Sequence, residues 1–471
     1  MHSMAGTWSL PMDVIELIAM QVACPSSLSA LLSALPPPAV TPALAALQAL
    51  TQQPTTARVS WPRVTFLSTA SASTHAHLTK LIRHGVQIEL VLRQPRDILE
   101  AAVPLTAVTR ASSLQSLTLD RVLGLSGPVI LPASLTTLSW IFDARPLAST
   151  AVAASLVSAP RLTHLTLDGG LCPDAVATAL MALPALSSLR LHGLALSSSL
   201  LAALPQLQHL DHLDLGGHAF GAFASALAET LPLCGRLTSL DLRQRKLPAS
   251  ALHLQGLRRA LVQMPRLRRL AWTSAGVGDC LLPHLSALSL SNDPCVYPTY
   301  RPIVMDNIGS LGALVELALT KNELDDRGAR ALSEVLPRCR KLRSLDVHGN
   351  AFTSRGLDAL LDGLPRSLSA LNVVSRGYYW SGIDAVLTAM THATWRSLDV
   401  AVNYEHDLDR ALRWLLAHTQ FVVALPPHAS SIKPQSRTLV DAIDASRTGH
   451  ACAVRLHLRD TPASAFLDPY K

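Results

Sequence analysis

Along this chain the pattern Leu-x-x-Leu-x-Leu returns whole again and again. It appears at Leu114/Leu117/Leu119, Leu162/Leu165/Leu167, Leu186/Leu189/Leu191, Leu210/Leu213/Leu215, Leu237/Leu240/Leu242 and Leu314/Leu317/Leu319. Five more copies exchange one apolar residue, at Leu135/Leu138/Trp140, Leu267/Leu270/Trp272, Leu342/Leu345/Val347, Leu368/Leu371/Val373 and Trp395/Leu398/Val400. Neighbouring copies start 21 to 30 residues apart, except across the longer gap from Leu267 to Leu314. Alternate side chains of a strand point to opposite faces, so the second and third apolar residues enter one core and those between them face outward. After the strand the period changes. In Asn322–Leu336, Leu332, Val335 and Leu336 lie at helical spacing, and proline then stops the helix at Pro337, as at Pro160, Pro184, Pro205, Pro232, Pro265 and Pro365. A strand–helix unit this short cannot bury its apolar side alone, so the units must stack. In the long gap either Leu285/Leu288/Leu290 is a shortened unit or the whole gap is an insertion. Ser291 to Ile303 reads as an irregular loop.

Hydrophobic residues make up 49% of the 471 residues, but charges and prolines break them up too often for a membrane span. The start of the chain has no basic lead, and Asp13 and Glu16 interrupt its apolar stretch, so no secretory signal is expected. The seven cysteines form no Cys-x-x-Cys pair, which argues against a disulfide framework or a zinc site and for a cytoplasmic or nuclear location. The net charge of +7 suits an acidic partner surface. With 4% aromatics and dispersed arginines, no nucleic acid is expected, nor any membrane.

The stretch from Leu314 to Pro337 resembles a leucine-rich repeat of the ribonuclease-inhibitor type. Leu314, Leu317, Leu319, Asn322, Leu324, Gly328, Leu332 and Leu336 fill its places, and Asn350, Phe352, Gly356, Leu360 and Leu364 do so in the next unit. The resemblance implies an α/β leucine-rich-repeat solenoid: a horseshoe or arc with a parallel sheet on the concave face, helices on the convex face, and a small N-terminal helical segment. It also implies that the asparagine bonds backbone groups where the chain leaves the strand. Gly170, Leu194, His218, Arg245 and Ala275 stand in that place in earlier units, which are expected to turn less regularly. The expected organisation is a helical segment over 1–55, degenerate repeats over 56–113, repeats over 114–403 with a loop insertion at 291–303, and degenerate repeats or a cap over 404–471.

Ahead of the repeats, Leu10-Pro11, Asp13, Val14 and Ile18 resemble the opening of an F-box, with Leu28 at the start of its second helix. The later Cys-Arg-x-Trp-like segment is absent. A plain helical cap fits the same residues, because proline is favoured in a helix's first turn. An F-box would imply that Leu10, Pro11, Val14 and Ile18 meet the adaptor of a cullin–RING ligase.

No phosphate-binding loop, dinucleotide fingerprint, zinc-protease motif or nucleophile elbow occurs, so no enzyme activity and no cofactor are expected. The informative surface is the outward columns of the strands. Counting from the first leucine, the second, fourth and sixth places bring His192, His212, Asp214, Asp241, Arg243 and Arg269 onto the concave face as the expected site for a protein partner. The plain alternative is that Leu-Asp-Leu merely fills such strands. The functional expectation is a non-enzymatic recognition protein, the substrate receptor of an SCF-type ubiquitin ligase. Its rivals are a scaffold or inhibitor without a ligase link and a Ran-type GTPase activator. The last carries an acidic C-terminal tail by family habit, where this chain has Asp468-Pro-Tyr-Lys471.

Overall fold

The computed structural model describes residues 25–35, 40–52, 57–60, 63–67, 76–77, 80, 89–93, 114–120, 128–142, 149–169, 173–193, 196–218, 223–243, 251–272, 282–291, 302–373, 397–402, 421–424 and 452–458. The adaptor-binding residues expected at Leu10, Pro11, Val14 and Ile18 lie outside these. The chain forms two compact units, residues 1–218 with 233–237 and residues 219–232 with 238–471.

The first unit opens with two short helices, α1 (Pro25–Ala34) and α2 (Pro42–Thr51). Helix α2 starts where it does because the Thr41 hydroxyl accepts from Leu44 N at 3.2 Å and Pro42 presets the first turn. Leu28 and Leu32 of α1 are buried, as are Leu44, Leu47 and Leu50 of α2. Strands β1 (Ala57–Ser60) and β2 (Arg63–Leu67) pair antiparallel. From β2 onward the pairing is parallel, through β3 (Glu89–Arg93), β4 (Ser116–Asp120), β5 (Thr137–Ile141), β6 (His164–Asp168), β7 (Ser188–His192) and β8 (His212–Asp214). Helices α3 (Ser149–Val157), α4 (Pro173–Leu180) and α5 (Ser198–Ala203) connect the later strands.

The register follows the leucines: Leu117, Leu138, Leu165, Leu189 and Leu213 stand opposite one another on successive strands, and all are buried. Burying each such side chain contributes about 1.5–3 kcal/mol, so a one-residue slip, which would turn a whole row outward, is strongly opposed.

The second unit repeats the plan. Its elements are α6 (Ala224–Thr230), β9 (Ser239–Leu242), α7 (Ala251–Val262), β10 (Arg269–Trp272), β11 (Ala287–Ser291), α8 (Pro302–Ser310), β12 (Glu316–Thr320), α9 (Asp326–Val335), β13 (Ser344–Asp346), α10 (Ser354–Asp362), β14 (Ala370–Asn372), β15 (Ser397–Val402), β16 (Phe421–Ala424) and β17 (Cys452–Leu458). Strands β9 to β15 are parallel in sequence order. The order then changes, because β17 pairs with both β15 and β16 and so lies between them. Leu285, Leu288 and Leu290 are buried around β11, so this unit is a shortened repeat and not part of an insertion. Of the loop expected over Ser291 to Ile303, residues 292–301 lie outside the described residues. Ser291 still belongs to β11, and a helix has begun by Pro302, whose fixed φ suits a first helical turn.

Five of the described strand ends share one turn. The seventh place after the first leucine takes positive φ, at Gly169, Gly193, Gly217, Lys321 and Gly349. The eighth place then ties the rung to its predecessor. Asn350, fully buried, donates from Nδ2 to Leu319 O and Val347 O, both at 2.7 Å, while its Oδ1 accepts from Asn322 N at 2.9 Å and Leu324 N at 3.2 Å. Asn322 Nδ2 donates to Leu290 O at 2.8 Å. At the same place in the first unit, His218 Nε2 lies 2.7 Å from Leu191 O and its ring is buried. The expectation of an irregular turn there is therefore corrected. An imidazole N–H reaches the carbonyl that an asparagine amide reaches elsewhere, since each donor projects from the same backbone position.

Among the described residues no helix is long and apolar enough to cross a membrane.

Candidate recognition face

Because the strands are in register, their outward side chains form columns, with neighbouring strands about 4.8 Å apart. In the first unit the fourth-place column runs Thr118, Ser139, Thr166, Arg190, Asp214. Arg190 Nε donates to Asp214 Oδ2 at 2.8 Å, and His192 Nε2 lies 3.1 Å from Asp214 Oδ1. That same oxygen accepts from Gly216 N at 2.8 Å. Burial works to raise the pKa of Asp214, but the hydrogen bond and charge of His192, the Gly216 N–H and the Arg190 charge together outweigh it. The carboxyl is held below its ordinary 3.8. Asp214 is only 4% exposed, so Arg190 and His192 present the cluster to solvent. His212 opens β8 opposite Ser188 and is half-buried.

In the second unit Asp241 is 8% exposed and accepts from the Arg243 backbone N at 2.9 Å. The Arg243 guanidinium also grips both oxygens of that carboxylate, with Nε at 3.0 and 2.9 Å. Arg269 is exposed, and its Nη2 lies 3.3 Å from Glu316 Oε1 two strands away, reaching across the small Ala287 between them. One rung further, Asp346 Oδ1 accepts from His348 N at 3.0 Å and lies 2.9 Å from His348 Nδ1.

The fourth-place aspartate thus has a local task. At Asp214, Asp241 and Asp346 alike, a carboxylate oxygen accepts the N–H two residues on and so closes the end of a short strand. The structure brings His192 and Asp214 together in the first unit and Asp241 and Arg243 together in the second. Arg269 is not joined to either pair and has Glu316 instead. Sequence reasoning passed over Arg190, Glu316 and His348. Their signal was present in the columns, but which column neighbours touch depends on side-chain reach. Among the described residues no group of three histidine, cysteine or acidic side chains is placed to hold a metal ion.

A leucine-rich-repeat family model matches residues 314–333 and 338–361. The MAP-homologous protein 1 of Saccharomyces cerevisiae is 28% identical over 94 residues. Those residues are 20% of this chain and 7% of that protein, so the match spans less than a tenth of the relative's length. Among solved structures, the chain is similar to the yeast Rad7–Elc1 complex, with 14% identity, 83% of this chain and 88% of that one covered, and a TM-score of 0.45. A leucine-rich-repeat-containing protein of Legionella pneumophila, LegL7, is 15% identical, with 65% and 98% covered and a TM-score of 0.38. Over residues 314–361 the in-register leucine rows, the turns at Lys321 and Gly349 and the matched family model agree that the units are leucine-rich repeats, and the parallel strands on either side keep the same leucine register.

Proposed function

We propose that this chain is a non-enzymatic recognition scaffold of the ribonuclease-inhibitor type that holds a protein partner on the outward face of its strands. The observation that carries the reading is the state of that face. Its carboxylates at Asp214 and Asp241 are buried and occupied, while Arg190, His192, Arg243 and Arg269 are held in place and reach solvent. Arginine fixed by neighbours loses little freedom on binding and is enriched among interface residues that dominate affinity. The specific role proposed is substrate receptor of an SCF-type ubiquitin ligase in the cytoplasm or nucleus. It is supported by the F-box-like run Leu10, Pro11, Val14 and Ile18 preceding a repeat array. Leu28, the leucine matched to the second F-box helix, lies in the first turn of α1 and is buried.

Two experiments test these parts separately. Partner capture by Arg243→Glu with Arg269→Glu is compared with capture by Arg327→Glu with Arg330→Glu on the exposed side of α9; only the first pair is expected to weaken it. Equal effects from both pairs overturn the strand-face reading. Co-elution of the full chain with the ligase adaptor on a sizing column should vanish when residues 1–50 are deleted. No co-elution under conditions where a known F-box protein binds overturns the ligase role. A second reading, that residues 25–52 are a cap, is favoured by the packing of α1 on α2, where Gln48 Nε2 reaches Leu32 O at 3.4 Å and the facing leucines are buried. In that case the scaffold acts without a ligase.

A further inference from the structure

The residues entering strands β13 and β14 form a cationic edge apart from the outward strand face. Arg340, Lys341 and Arg343 surround Leu342 on one rung, and Arg366 stands at the place on the next rung that Arg340 occupies on its own. All four are exposed. The rungs are fixed relative to each other: Arg343 O accepts from Ser369 N at 2.9 Å and Ala370 N at 2.8 Å, and the Ser367 hydroxyl donates to Leu342 O at 2.7 Å. Among the described residues, no carboxylate pairs with any of these four cations. Nearby Arg338 does have one, lying 3.6 Å from Asp306.

Stability of the fold does not account for this cluster. A cation favours a helix C-terminus only within the last turn. Helix α9 ends at Val335, and the 3-10 turn after it ends at Arg338, so that position already serves the helix end. Arg340, Lys341 and Arg343 come after it. Bringing like charges to within about 5–7 Å costs the folded chain up to about 1 kcal/mol per pair even in water, and the backbone bonds on these rungs do not require them.

We propose that this edge binds an acidic polypeptide segment, one presenting several carboxylates within a few residues. Rungs about 4.8 Å apart match side chains spaced one or two residues along an extended peptide. Two features favour polypeptide over nucleic acid. No aromatic residue stands among the described residues of these two rung entries to stack a base. Four cations on two rungs are also a small footprint beside the six to ten or so phosphate contacts of a typical DNA-binding protein. The inference goes beyond the strand-face reading and needs neither the ligase role nor the identity of its partner.

The test is fluorescence anisotropy of the full chain with a dye-labelled eight-residue peptide carrying four glutamates, at low salt. Arg340→Glu with Arg343→Glu should weaken binding at least tenfold. The same four-unit charge change at Arg327→Glu with Arg330→Glu should alter it less than threefold. A milder pair, Lys341→Gln with Arg366→Gln, should weaken binding severalfold and serves if the reversal pair melts at a lower temperature. Equal losses from the two reversal pairs overturn the proposal in favour of net charge alone. A single-stranded or duplex oligonucleotide that binds more tightly than the peptide, with the same dependence on Arg340 and Arg343, overturns it in favour of nucleic acid.

Discussion

Replacing Asn350 by alanine tests whether the side-chain ties between rungs hold the second unit together. The asparagine amide is fully buried and makes four hydrogen bonds, two as donor and two as acceptor. Alanine leaves two backbone donors, Asn322 N and Leu324 N, without this acceptor, and removes a donor from Leu319 O and Val347 O. A buried donor or acceptor left unmet costs about 1–3 kcal/mol. Counting the two N–H groups in full and the carbonyls lightly, because a carbonyl has a second lone pair, gives a loss of about 3–6 kcal/mol. An average substitution costs about 1 kcal/mol, so the effect should stand clear. Urea denaturation followed by circular dichroism would read it as a lowered midpoint for the transition of the second unit, with Ser239→Ala, a half-buried outward position, as the control expected to stay within about 0.5 kcal/mol. Because neighbouring repeats stabilise one another, the loss should also broaden that transition. A loss below about 1.5 kcal/mol would refute the reasoning: it would mean that water replaces the amide at little cost and that apolar packing alone holds the rungs.

Gly349→Ala should destabilise by about 1–2 kcal/mol in a thermal melt, the cost of left-handed geometry for a residue with a Cβ. Gly349 has φ +73°, and its added Cβ would lie 2.8 Å from Lys321 Cγ, which the lysine can relieve by moving. Asp214 contributes stability that is fully present above its unfolded pKa near 3.8 and is lost as pH falls through its lower folded value. The melting temperature of the wild type should therefore fall more between pH 6 and pH 3 than that of Asp214→Asn, and parallel curves would refute the claim. Burial pushes the Cys234 thiol up to about 11 and also raises that of Cys339. Neither should react with a thiol reagent at pH 8 in the native protein. Cys234→Ser and Cys339→Ser should each remove one reactive thiol from the urea-unfolded chain and none from the native one.

The rows of leucines made the strands legible, because a period-two apolar pattern admits one facing and one register. The asparagine ties at Asn322 and Asn350 were legible through the resemblance to a known repeat, which implies both the residue and its offset from the leucines. His218 was not, since nothing in the residue itself says that an imidazole will substitute for an amide. The left-handed seventh place was spelled out by Gly169, Gly193, Gly217 and Gly349, but Lys321 broke the pattern, and only the backbone angle reveals it as the same turn. The placement of β17 between β15 and β16 could not be read from sequence, because strand order at the end of an array depends on pairings between distant residues. On the candidate face the columns gave the right neighbours but not the contacts. Asp214 takes Arg190 and His192 from the preceding strand, whereas Asp241 takes Arg243 from its own chain direction two residues on.

The histidine at the eighth place makes the joint between repeats an interchangeable part. What the joint specifies is a hydrogen delivered to one carbonyl at one distance, and the chain meets that specification with two different chemical groups, at 2.7 Å from His218 and 2.8 Å from Asn322. The matched family segments lie where the asparagines are, at residues 314–361. At His218 the first unit keeps the same joint under a different spelling. An array built to such a tolerance can change its lettering one rung at a time without altering its pitch, so its length is better counted by its joints than by its consensus.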